Sequence, residues 1–551
     1  MKIVLVGINA KYAHTNLAIR HLKNYCADDR VEIAEYTINM PREKILADLE
    51  KKEADAYGFS VYIWNVGLVY PLADKLSGRV IFFGGPEASY DIGEALRHGS
   101  YVIRGEGEEA FARFATDFFA GRDVAETPSL CYWKEGLLHN NPLAKKADLD
   151  ALAQPYFDLP MLKNRILYYE SSRGCPFSCA YCLSSAEQGV RFASAEKVKR
   201  DIEAYAAAGA MNVKFVDRTF NADRKRAAEI VRHIALQGKD SEFHFELAAD
   251  LIDGELIEAL RTGKKGKVQL EIGVQSTHMP TLKAVGRVQD FSYTSEVVRA
   301  LAKDKNVILH LDLIAGLPLE GIKEFQKSLD DVMALGADAV QLGFLKILKG
   351  SGMERLAEKY GIEASASAPY EVVRTGHISS EELQHLKKIA YLLDRLYNSG
   401  LFQISTRIIS GLVGGFYAFF DRLVKFAEEQ GRDLGRMGER ELARLLLDYG
   451  RGRQAWELFR DAVRADCLIK PRRPIPEECL LKKEDWQRAF YRNLPLPYAK
   501  NMPRGKRPWH YSRAESFSFD LPRYLREGIL QKRATKVFFD YVEGSVREIL
   551  L

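Results

Sequence analysis

Short apolar runs and helical repeats alternate along the first 140 residues. Lys2–Val6, Val31–Thr37, Ala56–Ser60, Arg79–Phe83 and Tyr101–Arg104 read as strands, and the segments between them place apolar residues at helical spacing. Strands alternating with helices predict a parallel sheet covered on both faces. In such sheets a ligand sits at the carboxyl ends of the strands, here the loops Gly7–Asn16, Val61–Asn65, Gly84–Ser89 and Gly105–Glu109. A Pro-containing stretch without periodicity follows, roughly Asn140 to Lys163. A second alternating series then begins. Its strands are Ile166–Ser171, Asn212–Val216, Glu242–Leu247, Lys267–Gly273, Val307–Ala315 and Ala339–Leu345, with helical patterns such as Glu196–Ala208, Arg224–Gln237 and Glu320–Leu335 between them. Six such units predict an open partial barrel with its chemistry at the C-terminal strand ends. From about Tyr370 the strand pattern disappears and helices dominate: Ser380–Ser399, Phe416–Gln430, Glu439–Tyr449 and Gly452–Arg464.

The fold expected is therefore α/β. A doubly wound, Rossmann-like domain at 1–140 leads through a linker at 141–165 to a partial (β/α)6 barrel at 166–368. A mostly helical domain fills 369–551. With 551 residues, 47% hydrophobic and 28% charged, the chain has ample material for these cores. The longest apolar stretch, Ile408 to Phe420, is too short to span a bilayer and is interrupted by glycines, so it predicts a buried helix or hairpin. The N-terminus opens directly on a strand-like run without the features of a signal peptide.

Charge is uneven. After residue 450 there are 22 Lys and Arg against 13 Asp and Glu, while the first 450 residues carry a net −4. PRRP at Pro471–Pro474 and the cation–aromatic run Pro503–Arg513 add to this. Solvated charge is the commoner reason for such a region; contact with an anionic partner such as nucleic acid is the other.

Seven cysteines, an odd number with three inside eight residues, make no disulfide framework and suit a reducing cytoplasm. The three lie in SSRGCPFSCAYCLSS as Cys175, Cys179 and Cys182, a CxxxCxxC loop directly after the first barrel strand. Thiolates at this spacing suit iron–sulfur clusters and zinc. A structural zinc site closes with four ligands, yet the next histidine is His233. Three thiolates on a 4Fe-4S cluster leave one iron open to chelate a cofactor.

This loop, with an aromatic Tyr181 before its last cysteine, resembles the signature of the radical S-adenosylmethionine superfamily, and the likeness runs through the second domain. The resemblance implies that Cys175, Cys179 and Cys182 hold the cluster, that S-adenosyl-L-methionine caps its open iron, and that Tyr181 contacts the adenine. VKFVDRTFN would bring Asp217 and Arg218 to the second strand end, and FELAAD would bring Glu246 to the cofactor's ribose or amino group. LEIGVQS would place Gln275 and Ser276 at the site edge, Arg287 would pair with the cofactor carboxylate, and Ile314 in LDLIAGLPLE would pack on the adenine.

GINAKYAHTNLAIR, FSVYIWN, FFGGPEAS and RGEGEEAF together resemble the cobalamin-binding domain that precedes many radical S-adenosylmethionine enzymes. The likeness implies a cobalamin site formed from Lys11, Tyr12, His14, Asn16, Ser60, Tyr62, Trp64, Gly84, Gly85, Glu87, Gly105 and Glu106. Many such domains carry DxHxxG, whose His ligates cobalt; here Tyr12 stands in the Asp position and the motif is absent, so base-off cobalt is expected. A related methylthiotransferase family carries a second three-cysteine cluster in its N-terminal domain, where this chain has only Cys26 and Cys131. The pairing of cofactors implies a methyltransferase acting at a carbon centre of a small molecule. A flavodoxin or ferredoxin would supply electrons, and the C-terminal domain would serve as a lid. Cyclisation like that of the anaerobic magnesium-protoporphyrin ester cyclases is the alternative, followed by RNA modification or a cobalamin sensor.

Overall fold

The computed structural model describes every residue except 77, 157–164, 187–188, 238–239, 471–474, 481–483, 501, 504–505 and 550–551. Part of the expected linker, the PRRP motif and two positions of the 503–513 run fall outside the described residues. Internal contacts divide the chain into two compact units. One comprises residues 1–325, 335–337 and 342–383, and the other residues 326–334, 338–341 and 384–551.

The first unit opens with a seven-stranded sheet: β1 (Ile3–Asn9), β2 (Val31–Thr37), β3 (Ala56–Ser60), β4 (Val80–Gly84), β5 (Tyr101–Ile103), β6 (Leu130–Lys134) and β7 (Leu137–Asn140), in the order β2-β1-β3-β4-β5-β6-β7. The pairs from β2 through β5 are parallel. β1 reads as continuously apolar because both its faces are covered. Ile3 and Leu5 pack with Phe111 and Phe114 of the helix Glu108–Phe119, while Val4, Val6 and Ile8 pack with Val69 and Leu72 on the other side. Strand order reverses between β1 and β3, which opens a crevice at their carboxyl ends. The hairpin β6–β7, antiparallel to β5, lengthens the sheet beyond expectation. Its exposed Leu137 and Leu138 break the alternation that would have marked a strand.

The barrel sheet comprises β8 (Ile166–Tyr169), β11 (Asn212–Phe215), β12 (Glu242–Leu247), β13 (Val268–Gln275), β14 (Val307–Ala315) and β15 (Ala339–Phe344), ordered β15-β14-β13-β12-β11-β8. All six expected strands are present. Between β8 and β11 the chain inserts a small antiparallel hairpin, β9 (Ser172–Cys175) with β10 (Gly189–Phe192), and the loop of cysteines hangs from it. The hairpin needs glycine at 174: φ is +98°, and a Cβ there would collide with the Gly189 carbonyl. β12, β13 and β14 alternate strictly. Phe243, Phe245, Leu270, Ile272, Leu309 and Leu311 are buried on one face, and the other carries His244, Glu246, Gln269, Glu271, His310 and Asp312.

The second unit is mainly helical, as expected. The apolar stretch at 408–420 is two buried helices, Gln403–Val413 and Phe416–Glu429, parted at Gly414 and Gly415 with φ of +98° and +126°. The expectation that strands end near residue 370 is corrected by a three-stranded antiparallel sheet, Ser512–Phe517, Thr535–Asp540 and Ser545–Glu548. Arg513, Glu515 and Arg547 on these strands hide the apolar alternation that covers Phe517, Phe519 and Phe539. Among the described residues no helix is long and apolar enough to cross a membrane.

Candidate functional site

Two cavities open at the carboxyl ends of the strands of the first unit. The first is lined by Cys175, Cys179 and Cys182 together with Tyr181, Thr219, Glu246, Glu271, Gln275, Arg287 and Asp312. Two backbone contacts shape the cysteine loop: Cys182 N–H donates to the Cys179 carbonyl at 3.0 Å, and Ala180 N–H donates to the Val285 carbonyl at 2.8 Å. The latter sets the loop against the turn bearing Arg287. That guanidinium lies 3.4 Å from the Tyr181 hydroxyl and 3.8 Å from Cys179 Sγ, and it also donates to the Gly273 carbonyl. Cys175 Sγ is 3.4 Å from Thr219 Oγ1. None of the three cysteines forms a disulfide.

The floor of this cavity is acidic. Lys214 Nζ reaches Glu271 at 3.2 Å and Glu246 at 3.7 Å, and His244 Nε2 reaches Glu271 at 2.8 Å. Although burial opposes it, His244 and Lys214 hold Glu271 down at about 2. Burial, then Glu271 and Glu246, push Asp312 up to about 8, so it carries its proton at neutral pH. Burial also raises Glu246. Two buried oxygens on this wall, Gln275 Oε1 and Asp312 Oδ1, have no hydrogen-bond partner among the described residues, an arrangement suited to donors on a ligand. Gln275 reaches the cavity through a bulge between Gly273 and Gln275 and a left-handed φ of +69°.

The second cavity, ≈ 990 Å³, lies in the crevice where the strand order reverses. From the N-terminal sheet it is lined by His14, Asn16, Ser60, Tyr62, Trp64, Gly84, Gly85, Gly105 and Glu106. From the barrel come Tyr168, Glu170, Arg173 and Arg218. Asn16 caps the helix Leu17–Cys26 through Ile19 N–H and also donates to Ser60 Oγ at 2.7 Å, which ties two of the loops together. Gly85 lets two backbone segments approach closely: its φ is +97°, and a Cβ would sit 2.7 Å from the Val61 carbonyl oxygen. Tyr62 and Trp64 stack at 4.3 Å with a 7° interplanar angle, giving the cavity a flat apolar wall.

The barrel is joined to this sheet by main-chain and ionic contacts. Ile166 N–H donates to the Ala13 carbonyl at 2.7 Å, and Arg165 donates to the His14 carbonyl at 2.6 Å. Arg173 binds three carboxylates at once: Glu106 at 2.8 Å, Glu170 at 2.9 Å, and Glu108. Arg191 takes the other oxygen of Glu106.

Some expected residues stand elsewhere. Tyr12 is 73% exposed with Arg165 over its ring, and Lys11 is exposed; neither lines the second cavity. Glu87 is buried against Tyr370 and Lys349. Asp217 is sealed beneath the first cavity, accepting from Ser171 N–H at 2.7 Å and Ser172 N–H at 2.9 Å, so it shapes the strand end. Ser276 donates to Glu320 at 2.5 Å, and Ile314 is outside the cavity lining. The sequence reading overlooked Glu271, Asp312 and Arg173, together with His21, which lines the second cavity. Burial and then Arg173 lower His21 to about 4. His21 was findable: Leu17, Ala18, His21 and Leu22 share one helical face, and all line the cavity.

The B12 binding domain family matches residues 3–115, the radical SAM superfamily residues 169–332, and a protein family of unknown function, DUF4080, residues 358–539. An uncharacterized methyltransferase of Pyrococcus horikoshii is 24% identical over 369 residues, 62% of this chain and 79% of that protein. The cobalamin-dependent radical SAM methyltransferase TokK of Streptomyces tokunonensis is 23% identical over 404 residues, 67% of this chain and 59% of its own length. The structure of the cobalamin-dependent radical enzyme OxsB with aqua-cobalamin and S-adenosylmethionine bound has a similar fold. Its TM-score is 0.62 at 14% identity, over 88% of this chain and 82% of that one. Cysteine thiolates, Arg287 and unpartnered oxygens in one cavity fit a cluster with its S-adenosylmethionine, and the glycine-lined crevice fits cobalamin. Its cofactors are a 4Fe-4S cluster, S-adenosylmethionine and cobalamin, and the chain is a radical S-adenosylmethionine enzyme with a cobalamin-binding domain ahead of its barrel.

Proposed function

We propose that the enzyme methylates a carbon centre of a small organic substrate held between its two cavities. The observation that carries this reading is their adjacency: both lie in one compact unit, and Arg218 belongs to the wall of each. When bound, S-adenosylmethionine at the cluster supplies a hydrogen-abstracting radical and cobalamin supplies a methyl group. The chain's part is to bind, orient and exclude water. Cys175, Cys179 and Cys182 would hold three irons, and Arg287 would face the methionyl carboxylate, for which a fork of N–H donors is suited. Gln275 Oε1, which has no hydrogen-bond partner among the described residues, would accept from the amino group. Glu246 and protonated Asp312 would offer hydrogen bonds to hydroxyls. The Tyr62–Trp64 stack would shield the crevice from solvent.

Seven cysteines that form no disulfide among the described residues suit a reducing cytoplasm, where a flavodoxin- or ferredoxin-type protein would donate electrons. The test is anaerobic reconstitution with iron, sulfide, cobalamin, S-adenosylmethionine and reductant, in the presence of a small-molecule extract. 5′-Deoxyadenosine should form together with a product heavier by about 14 Da, and Cys179→Ala should abolish both. An oxidised or cyclised product without added mass would replace methylation with cyclisation. Deoxyadenosine persisting in Cys179→Ala would overturn the cluster assignment.

A further inference from the structure

Arg218 is the single residue common to the walls of the two cavities among the described residues. It follows Asp217, whose carboxylate is locked onto the Ser171 and Ser172 amides, so the backbone that presents Arg218 is held rigidly. Its own guanidinium is exposed and makes no ion pair or side-chain hydrogen bond among the described residues. The other arginine of the first cavity, Arg287, is by contrast tied to Gly273, Gln289 and Tyr181. The charge of Arg218 is felt on both sides, at Glu246 of the barrel and at Tyr62 of the N-terminal sheet. The surroundings are partly apolar: Phe177 lines the first cavity, and the Tyr62–Trp64 stack lines the second.

We infer that Arg218 is the anion-recognition residue of the substrate site, so that the substrate carries a carboxylate or phosphate on an apolar body. The inference rests on the two-cavity reading above. An uncommitted planar cation binds an oxyanion through two parallel N–H···O bonds, which fixes orientation as well as affinity. Held at the junction, such a substrate would be presented to both cavities by one contact. Glu246, on the first-cavity side, lies 3.7 Å from Lys214 Nζ and forms no ion pair with Arg218 among the described residues.

The experiment is ¹⁹F NMR binding to the anaerobically reconstituted holoenzyme with saturating S-adenosylmethionine. The probes are 4-fluorobenzoate, 4-fluorophenyl phosphate and the neutral 4-fluorobenzamide. The anions should bind and the amide should not, and Arg218→Gln should weaken the anions by about 10- to 100-fold, the worth of a charge-assisted hydrogen bond. The tighter of the two anions assigns the class. Arg218→Lys, which keeps the charge and loses the fork, should fall between. The Arg218 side chain is exposed and makes no ion pair or hydrogen bond among the described residues, so cluster and cobalamin absorbance should report an intact variant. Equal binding of benzoate and benzamide, or undiminished anion binding by Arg218→Gln, would overturn the inference. So would anion binding that disappears once S-adenosylmethionine is added, because Arg218 would then serve that cofactor's carboxylate. These readouts require no turnover, so a failure of methylation and a failure of anion recognition are separate results.

Discussion

Arg173 offers the sharpest test of how the cobalamin-binding sheet is held to the barrel. Its side chain is 15% exposed and binds Glu106, Glu108 and Glu170, themselves 16%, 6% and 21% exposed. Arg173→Met preserves bulk but strands Glu108 and Glu170, while Glu106 retains Arg191. Removing one partner of a buried ion pair leaves an uncompensated charge at a cost of about 3–5 kcal/mol. For a unit of this size that lowers Tm by about 4–6 °C at pH 7.5. The deficit carries a pH signature. In the native protein burial pushes Glu108 up, but its bond to Arg173 outweighs this and holds it below the usual range; burial raises Glu170. In the variant both folded-state values rise above the unfolded one, so the folded form holds protons that the unfolded chain has released. Variant stability then falls as pH rises through that window, and the deficit shrinks as pH drops toward 5. Calorimetry of the first unfolding transition at pH 5 and 7.5 measures both. Arg173→Lys, which restores charge without the fork, should recover part of the loss. A variant within about 1 kcal/mol of the native protein at pH 7.5, or a deficit unchanged at pH 5, would refute the reasoning.

Two further outcomes follow from the site. Asp312 is protonated in the folded chain up to about pH 8 and ionised in the unfolded chain above its ordinary value, so it erodes stability as pH rises between them. Asp312→Asn, which keeps a donor toward Glu271, should therefore be stabilising by about 2–4 kcal/mol at pH 8 and neutral at pH 4, read from denaturant midpoints; equal effects at both would disprove the shift. Gly85→Ala forces a Cβ against the Val61 carbonyl at φ +97°, costing about 1–3 kcal/mol. The distorted turn should retain less cobalamin through gel filtration, and full retention would show that this approach is unnecessary.

How much of the protein could be read in advance differs by the range of the signal. The continuous apolar run of β1, the strict alternation of β12 to β14 and the CxxxCxxC spacing are local, and each was legible. Those patterns were enough for two successive α/β sheets, an iron–sulfur loop at the first barrel strand, and a ligand crevice at the carboxyl ends of the N-terminal strands. The C-terminal sheet escaped because Arg513, Glu515 and Arg547 interrupt its apolar period. Asp217 and Glu87 look like site residues in sequence, yet burial commits their carboxylates to Ser171, Ser172, Tyr370 and Lys349. The proton on Asp312 depends on Glu246 and Glu271, which lie on two other strands. Arg173 meets Glu106 and Glu108 across more than sixty residues of chain. Arg218 acquires its meaning only when the loop after β11 comes between two cavities. Periodicity and spacing act within a few residues of one another, so the sequence alone determined most of the elements and the iron–sulfur loop, while the cofactor classes came from family resemblance. Electrostatics and access depend on what folding brings within a few ångströms, so only the tertiary structure decided which of those residues are left free to meet a ligand.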